Sequence, residues 1–261
     1  MDKSSYYILY KKSKNQLPIG DVIRVLYFLK YRDYKIVTNK SFNSFFSKFN
    51  NKKIIDINKF QIKKNHQIIN LNIGENVKNS VFDINDYLSK IIDKKKTFDL
   101  YKKFFKYGIE EKKIKKIKKN KIKIGINWKV PSEWSIKSLP KKKWQNIIKE
   151  LNIKNIEVSE QKKFSLSKYV EWIKSCDIII SVVGLGVHIS TFFDIKTIML
   201  VGPTDFEESK NNINLIKIFP NKRCKVHQKK LNIRYKKCSC MNNIDEYIIL
   251  KNIKKLINEK K

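Results

Sequence analysis

The residues best placed to do chemistry are a pair of glycines and a group of sulfur and nitrogen ligands. Gly184-Leu185-Gly186 follows a run of Ile and Val and stands just ahead of His188. A strand, a glycine turn and a helix start together let backbone N–H groups and the helix dipole hold a phosphate. Glycine serves there because a Cβ blocks close approach of the backbone to the ligand. The full dinucleotide fingerprint G-x-G-x-x-G is missing, since position 189 is Ile, so a plain tight turn is the competing reading. Cys224, His227, Cys238 and Cys240 form the pattern C-x2-H-x10-C-x-C. Three thiols and an imidazole at that spacing suit tetrahedral zinc or iron, and four protein ligands would make the site structural, with no position left for a substrate. The alternative is a reduced, partly buried cysteine cluster in a lysine-rich loop.

Such groups need a scaffold, and the order of elements supplies one. The first half alternates β-rich and helical runs: strands at Tyr6–Tyr10, Tyr34–Thr38, Ile54–Ile57 and Gln67–Ile73, helices at Val22–Tyr31 and Phe42–Phe49. A helical stretch at 101–107 leads into a lysine-dense run over 109–121, read as a linker or a solvated helix. The pattern then restarts with a strand at Lys123–Trp128, a Pro/Ser loop, a helix at Lys142–Leu151 and a strand at Asn155–Ser159. A helix at Leu166–Ser175, a strand at Asp177–Val183, a helix from about Val187, a strand at Thr197–Val201 and a terminal helix at Ile244–Ile257 complete it. The unbroken Ile/Val character of the later strands suits a sheet buried on both faces. Alternation of this kind predicts βαβ units and parallel sheets. The expected architecture is therefore α/β, with two Rossmann-like domains facing a cleft, residues 1–118 and 119–261.

Composition narrows the function classes. Of 261 residues, 58 are Lys or Arg against 24 Asp or Glu, a formal charge of +34, yet only four are Arg and none is Ala. That bias is what an AT-rich coding sequence produces, so basicity alone is a weak argument for nucleic acid, whose readers rely on the bidentate fork of Arg. A field this positive still draws the protein toward anionic lipid. No apolar run reaches the ~20 residues a spanning helix needs, and the N-terminus has no signal-peptide core. The expectation is a cytoplasmic protein, in contact with the inner membrane face at most peripherally.

Several short motifs stand in a fixed order: Gly20-Asp21-Val22-Ile23, Leu29-Lys30, Ile124-Gly125-Ile126-Asn127, Lys137 three before Pro140, the stretch 165–181, the His188 helix, Val201-Gly202-Pro203-Thr204-Asp205, and Cys240-Met241 ahead of Ile244. In that order they resemble glycosyltransferase family 9, the ADP-heptose:lipopolysaccharide heptosyltransferases, over nearly the whole chain. The resemblance implies the GT-B fold and inverting transfer of a heptose or related sugar from a nucleotide sugar, ADP-linked by preference, to a lipopolysaccharide-type or other glycan acceptor. It implies Asp21 as the catalytic base, a carboxylate that takes the acceptor hydroxyl's proton. The plainer role for Asp21 is to cap the first helix. Ser132, Ser135 and Lys137 match the family's donor-phosphate contacts, with the ammonium neutralising the departing diphosphate. Gly184, Leu185, Gly186 and His188 match its diphosphate loop, and Gly202, Pro203 and Thr204 a further donor loop. No cofactor is implied for catalysis, and GT-B transfer proceeds without a divalent metal.

The chain also departs from the family. Val183 stands where an acidic residue usually contacts the donor, five positions before the loop His. The segment from Ser159 to Phe164 is short, leaving Glu160, or Glu157, for the donor ribose. A binding protein on the same fold that has lost turnover is therefore the first alternative, and a basic nucleic-acid-binding protein the second.

Overall fold

The computed structural model describes residues 6–11, 19–28, 34–49, 54–63, 66–71, 121–203, 214–224 and 238–258. Four short strands build the first sheet: β1 (Tyr6–Tyr10), β2 (Tyr34–Thr38), β3 (Ile54–Asp56) and β4 (Gln67–Asn70). Their order is β3-β2-β1-β4 and every pair is parallel, with Tyr6 level with both Tyr34 and Gln67. Alternation along β1 buries Ile8 and Tyr10, which point to one face of the sheet. Helix α1 (Ile19–Phe28) buries Val22, Ile23, Val25 and Leu26. These fall at helical spacing, the stripe by which an amphipathic helix packs. Helix α2 (Lys40–Phe46) contributes Phe46, whose ring meets that of Tyr10 edge-on at 5.7 Å.

The second sheet is longer and drier. It comprises β5 (Ile122–Asn127), β6 (Ile156–Glu160), β7 (Ile178–Val182), β8 (Lys196–Leu200) and β9 (Leu215–Ile218), all parallel in the order β6-β5-β7-β8-β9. Every residue of β7 and β8 is buried, the polar Ser181, Lys196 and Thr197 included, as strands covered on both sides require. Helices α3 (Lys141–Leu151), α4 (Leu166–Lys174), α5 (Leu185–Phe192) and α6 (Glu246–Asn258) follow in chain order. Trp144, Ile147 and Leu151 of α3 and Ile249, Ile253 and Leu256 of α6 join Ile122, Ile124, Ile126, Ile180 and Leu200 in one core. At β5 a Cβ on Gly125 would stand 2.5 Å from Ile179 Cδ1 and 2.8 Å from Cys176 Sγ, so a larger residue there would force both side chains to shift.

Contacts divide the chain into two units, Met1–Tyr107 with Ser165–Val170, and Gly108–Phe164 with Glu171–Lys261. The helix expected at 101–107, the lysine run up to residue 120 and the boundary at 118 lie outside the described residues. The parallel α/β architecture is as the alternation predicts. The β-strand ends shift by one residue or a few, and helix α1 starts at Ile19, three residues before the expected Val22. Two elements differ in kind. The Pro/Ser loop contains 3-10 turns over Ser132–Lys137, and Leu215–Ile218 forms a fifth strand of the second sheet.

Candidate functional site

In the second sheet the chain leaves β5 outward to the edge strand β6 and then crosses back to β7 on β5's other side. That reversal is a topological switch point, and open α/β sheets bind ligands in the crevice beyond the carboxyl ends of the strands that flank it. Two loops border the crevice. One follows β5 and runs from Trp128 to Pro140; the other follows β7 and runs from Val183 to Gly186.

The first loop carries Ser132, Ser135 and Lys137 on its 3-10 turns, broken at Trp134, whose backbone is non-helical (φ −113°, ψ 20°). Both serines are exposed and Lys137 is half-buried. The Lys137 ammonium lies over the Trp134 ring, 4.3 Å from its centroid. An ammonium over an aromatic face is attracted by the ring, a contact contributing ~0.5–1 kcal/mol where partly exposed. At the loop's far end Leu139 is buried and Pro140 precedes α3, anchoring the turn to the core.

The second loop opens α5. Gly184 is its N-cap, with extended backbone (φ 160°, ψ −161°), and its carbonyl accepts from Val187 N–H at 3.0 Å. The N–H groups of Leu185 and Gly186 therefore stand ahead of the first helical bond, where an anion is favoured. A Cβ built on Gly184 meets no heavy atom within 4 Å, so the protein's own packing does not call for glycine there. His188 lies one turn into the helix and is 8% exposed.

Val183, at the position where the sequence comparison expected a carboxylate, is buried in a small cluster with Val187, Met199 and Val201. It is a packing residue. Glu160 ends the edge strand β6 and is exposed, beside Gln161, whose side-chain carbonyl accepts from Lys129 N–H at 2.8 Å. Glu157 sits toward the amino end of β6, away from the crevice, and pairs with Lys121 and Lys123 at 3.6 Å each. Gly202 and Pro203 follow β8 and are buried. A Cβ on Gly202 would collide with the Met241 sulfur, so this glycine has a packing reason that Gly184 lacks. Thr204 lies outside the described residues.

In the first sheet the switch lies between β1 and β4, and α1 is the first helix described after β1. Asp21 is the third residue of α1, inside its first turn rather than in front of the helix as a cap would be.

Cys224, Cys238 and Cys240 converge: their sulfurs all lie within 4.8 Å of one another, Cys224 and Cys238 at 3.4 Å. Cys224 N–H donates to Cys240 Sγ at 3.2 Å, and Cys240 N–H to Cys238 Sγ at 3.5 Å. Burial pushes the Cys238 thiol up to about 12 and raises that of Cys240, so both stay protonated unless a cation takes the proton's place. Three soft donors with backbone N–H groups on two of the sulfurs fit a thiolate-bound zinc or iron. His227, the expected fourth ligand, lies outside the described residues.

No protein-family model matches the sequence, and no curated protein matches it either. Solved structures do match. A glycosyl transferase of family 9 from Veillonella parvula aligns over 100% of this chain and 99% of its own, with a TM-score of 0.62 at 12% identity. The chain has the fold of glycosyltransferase family 9. E. coli heptosyltransferase WaaC, solved with ADP-2-deoxy-2-fluoro heptose, aligns over 95% of this chain and 99% of its own (TM-score 0.52, 11% identity). The iron-containing dodecameric glycosyltransferase TibC of enterotoxigenic E. coli aligns over 97% and 76% (TM-score 0.55, 10% identity). The family 9 fold is GT-B, and the two parallel α/β sheets of this chain are its two halves.

Trp134, beside the crevice, was given no role by the sequence reading, although an aromatic three residues from Lys137 could have drawn attention. Met241 and Asn127 were visible only as members of short motifs; their contacts, Met241 over Gly202 and Asn127 with Ser181, were not, because only the folded chain brings those partners near.

Proposed function

We propose that the protein is an inverting glycosyltransferase that takes a nucleotide sugar, ADP-linked by preference, in the second unit and passes a heptose or related sugar to a glycan or glycolipid acceptor. The observation that carries this is the pairing, across one switch point, of a cation-bearing loop (Lys137) with an open helix start (Gly184–Gly186). The ammonium and the helix dipole are the positive groups for the leaving diphosphate, which removes the need for a catalytic divalent cation. Ser132, Ser135, Glu160, His188, Pro203 and Thr204 complete the donor side, and Asp21 in the first unit is the base for the acceptor hydroxyl. WaaC with its ADP-sugar supports the nucleotide, and the iron of TibC supports a metal on Cys224, Cys238 and Cys240 with His227. That ion would be structural, pinning a loop with little core of its own; it takes no part in transfer.

No helix among the described residues is long and apolar enough to cross a membrane. Peripheral contact with anionic lipid is the proposed way to reach a lipid-linked acceptor.

A second reading rests on Val183. With that position packed into an apolar cluster, a protein that binds nucleotide sugars without turning them over is the alternative.

A thermal-shift screen of ADP-, UDP- and GDP-sugars tests the site, since a ligand at 100 times its Kd stabilises by ~2.7 kcal/mol. A shift with ADP-sugars and release of ADP on adding acceptor is expected. A shift without release favours the binding protein, and no shift with any of them overturns both. Elemental analysis of protein purified without chelator tests the metal: about one equivalent of zinc or iron is expected.

A further inference from the structure

The thiol cluster and the donor side are joined by a single residue. Cys240 is fully buried, its N–H on Cys238 and its sulfur on the N–H of Cys224. The next residue, Met241, is 1% exposed, and its thioether fills the space over Gly202 so closely that even a methyl there would collide. Gly202 stands two residues beyond the last residue of β8, at the carboxyl end of the sheet where the diphosphate site is proposed. The cluster segment is also zipped to the chain after β9. Asn221 N–H donates to Asn243 O, and the Asn243 side-chain amide to Lys222 O, both at 2.9 Å. Packed interiors transmit displacement, so Met241 has no room to move unless Gly202 moves with it.

We propose that Met241 is a positioning residue that couples the two sites: closing a metal shell on Cys224, Cys238 and Cys240 fixes Met241 against Gly202 and raises affinity for a nucleoside diphosphate. This rests on the metal and donor sites proposed above. Coupling of this kind is reciprocal, so the nucleotide must raise metal affinity by the same factor.

The test uses Co(II), whose thiolate charge-transfer absorption reports binding, and ADP, followed by calorimetry. ADP should bind about five-fold or more tightly to cobalt-loaded protein than to chelator-stripped protein, within the usual range of such couplings. Adenosine, which has no diphosphate, should bind both equally, which also shows that the stripped protein is folded. ADP should tighten cobalt binding by the matching factor. In Met241→Ala both ligands still bind but the factor falls toward one, while Met241→Leu, similar in volume, retains most of it. If Met241→Ala does not fold, the wild-type comparison decides. Equal ADP affinity in the loaded and stripped states overturns the coupling alone. Failure to bind cobalt overturns it together with the metal site, and failure to bind ADP in either state overturns it together with the donor site.

Discussion

Replacing Gly184 by Ala separates a glycine kept for a ligand from one kept for the fold. Its backbone is extended and a Cβ meets nothing within 4 Å, so the folded protein bears no steric cost. Alanine restricts the unfolded chain, which stabilises by ~0.4–1 kcal/mol. It is also a poorer N-cap than glycine, which costs a similar amount. The two nearly cancel, and at ~2–4 °C per kcal/mol for a protein of this size the melting temperature should move by no more than about 2 °C. Binding should respond quite differently. The added methyl enters the open space in front of the helix start, where the phosphate is proposed to sit, and losing one charge-assisted contact to a phosphate removes ~1.5–3 kcal/mol. At tenfold per ~1.4 kcal/mol, the Kd for ADP should rise about 10- to 150-fold. Calorimetric titration with ADP beside a thermal melt of the same sample measures both quantities. Unchanged ADP affinity in the folded variant would refute the phosphate role of this loop, and a collapse of the melt would refute the packing argument.

Gly202→Ala should do the reverse, destabilising by ~1–3 kcal/mol through overpacking against Met241, seen as a melting temperature lowered by several degrees. Asp21→Asn should lower the transfer rate by ~10²–10⁴ while leaving ADP titration unchanged; near wild-type turnover would leave Asp21 a role in the helix alone. Lys137→Ala should weaken ADP by ~10-fold or more and adenosine little, and equal losses for both would point to a folding defect. Burial raises the Cys176 thiol from its ordinary 9.0 to about 11, so the folded state favours the neutral form. The stability this gives is complete below pH 9 and is lost as the pH rises toward 11. Denaturant melts of the wild type should therefore fall by roughly 2–3 kcal/mol more over that window than those of Cys176→Ala.

The second sheet was legible in the sequence because β7 is a nearly continuous Ile run and β5 carries Ile at alternate positions, and its helices show residues such as Trp144, Ile147 and Leu151 at helical spacing. Strand β9 was not, since Leu215–Ile218 is a four-residue edge strand interrupted by Lys217 and given its structure by pairing with β8. The glycine loop and the lysine loop were visible as short motifs in order. What set their meaning was the strand order, which no local pattern encodes. The contrast between Gly184 and Gly202 was equally hidden, because it depends on Met241, distant in sequence and adjacent only after folding. Val183 read as the loss of a carboxylate; the fold adds that its side chain is turned into an apolar cluster.

β5 repeats Ile at 122, 124 and 126 and β7 opens on three Ile, so their apolar side chains have little to tell one alignment from another, and a slip of two residues would keep the apolar faces. The pair Asn127–Ser181 breaks that degeneracy. The two residues are level across β5 and β7, and the Asn127 amide donates to the Ser181 hydroxyl at 2.7 Å, both side chains buried. Ser181 in turn donates to Val182 O at 2.7 Å. Any other alignment loses the bond between them, at ~0.5–1.5 kcal/mol. Because they are the last residue of β5 and the last but one of β7, the alignment they enforce also sets the relative height of the loops that begin immediately beyond them. The bond acts as a surveyor's peg between strands 54 residues apart. A chain that folded out of register would lose the matched elevation of its lysine and its helix start before it lost its core.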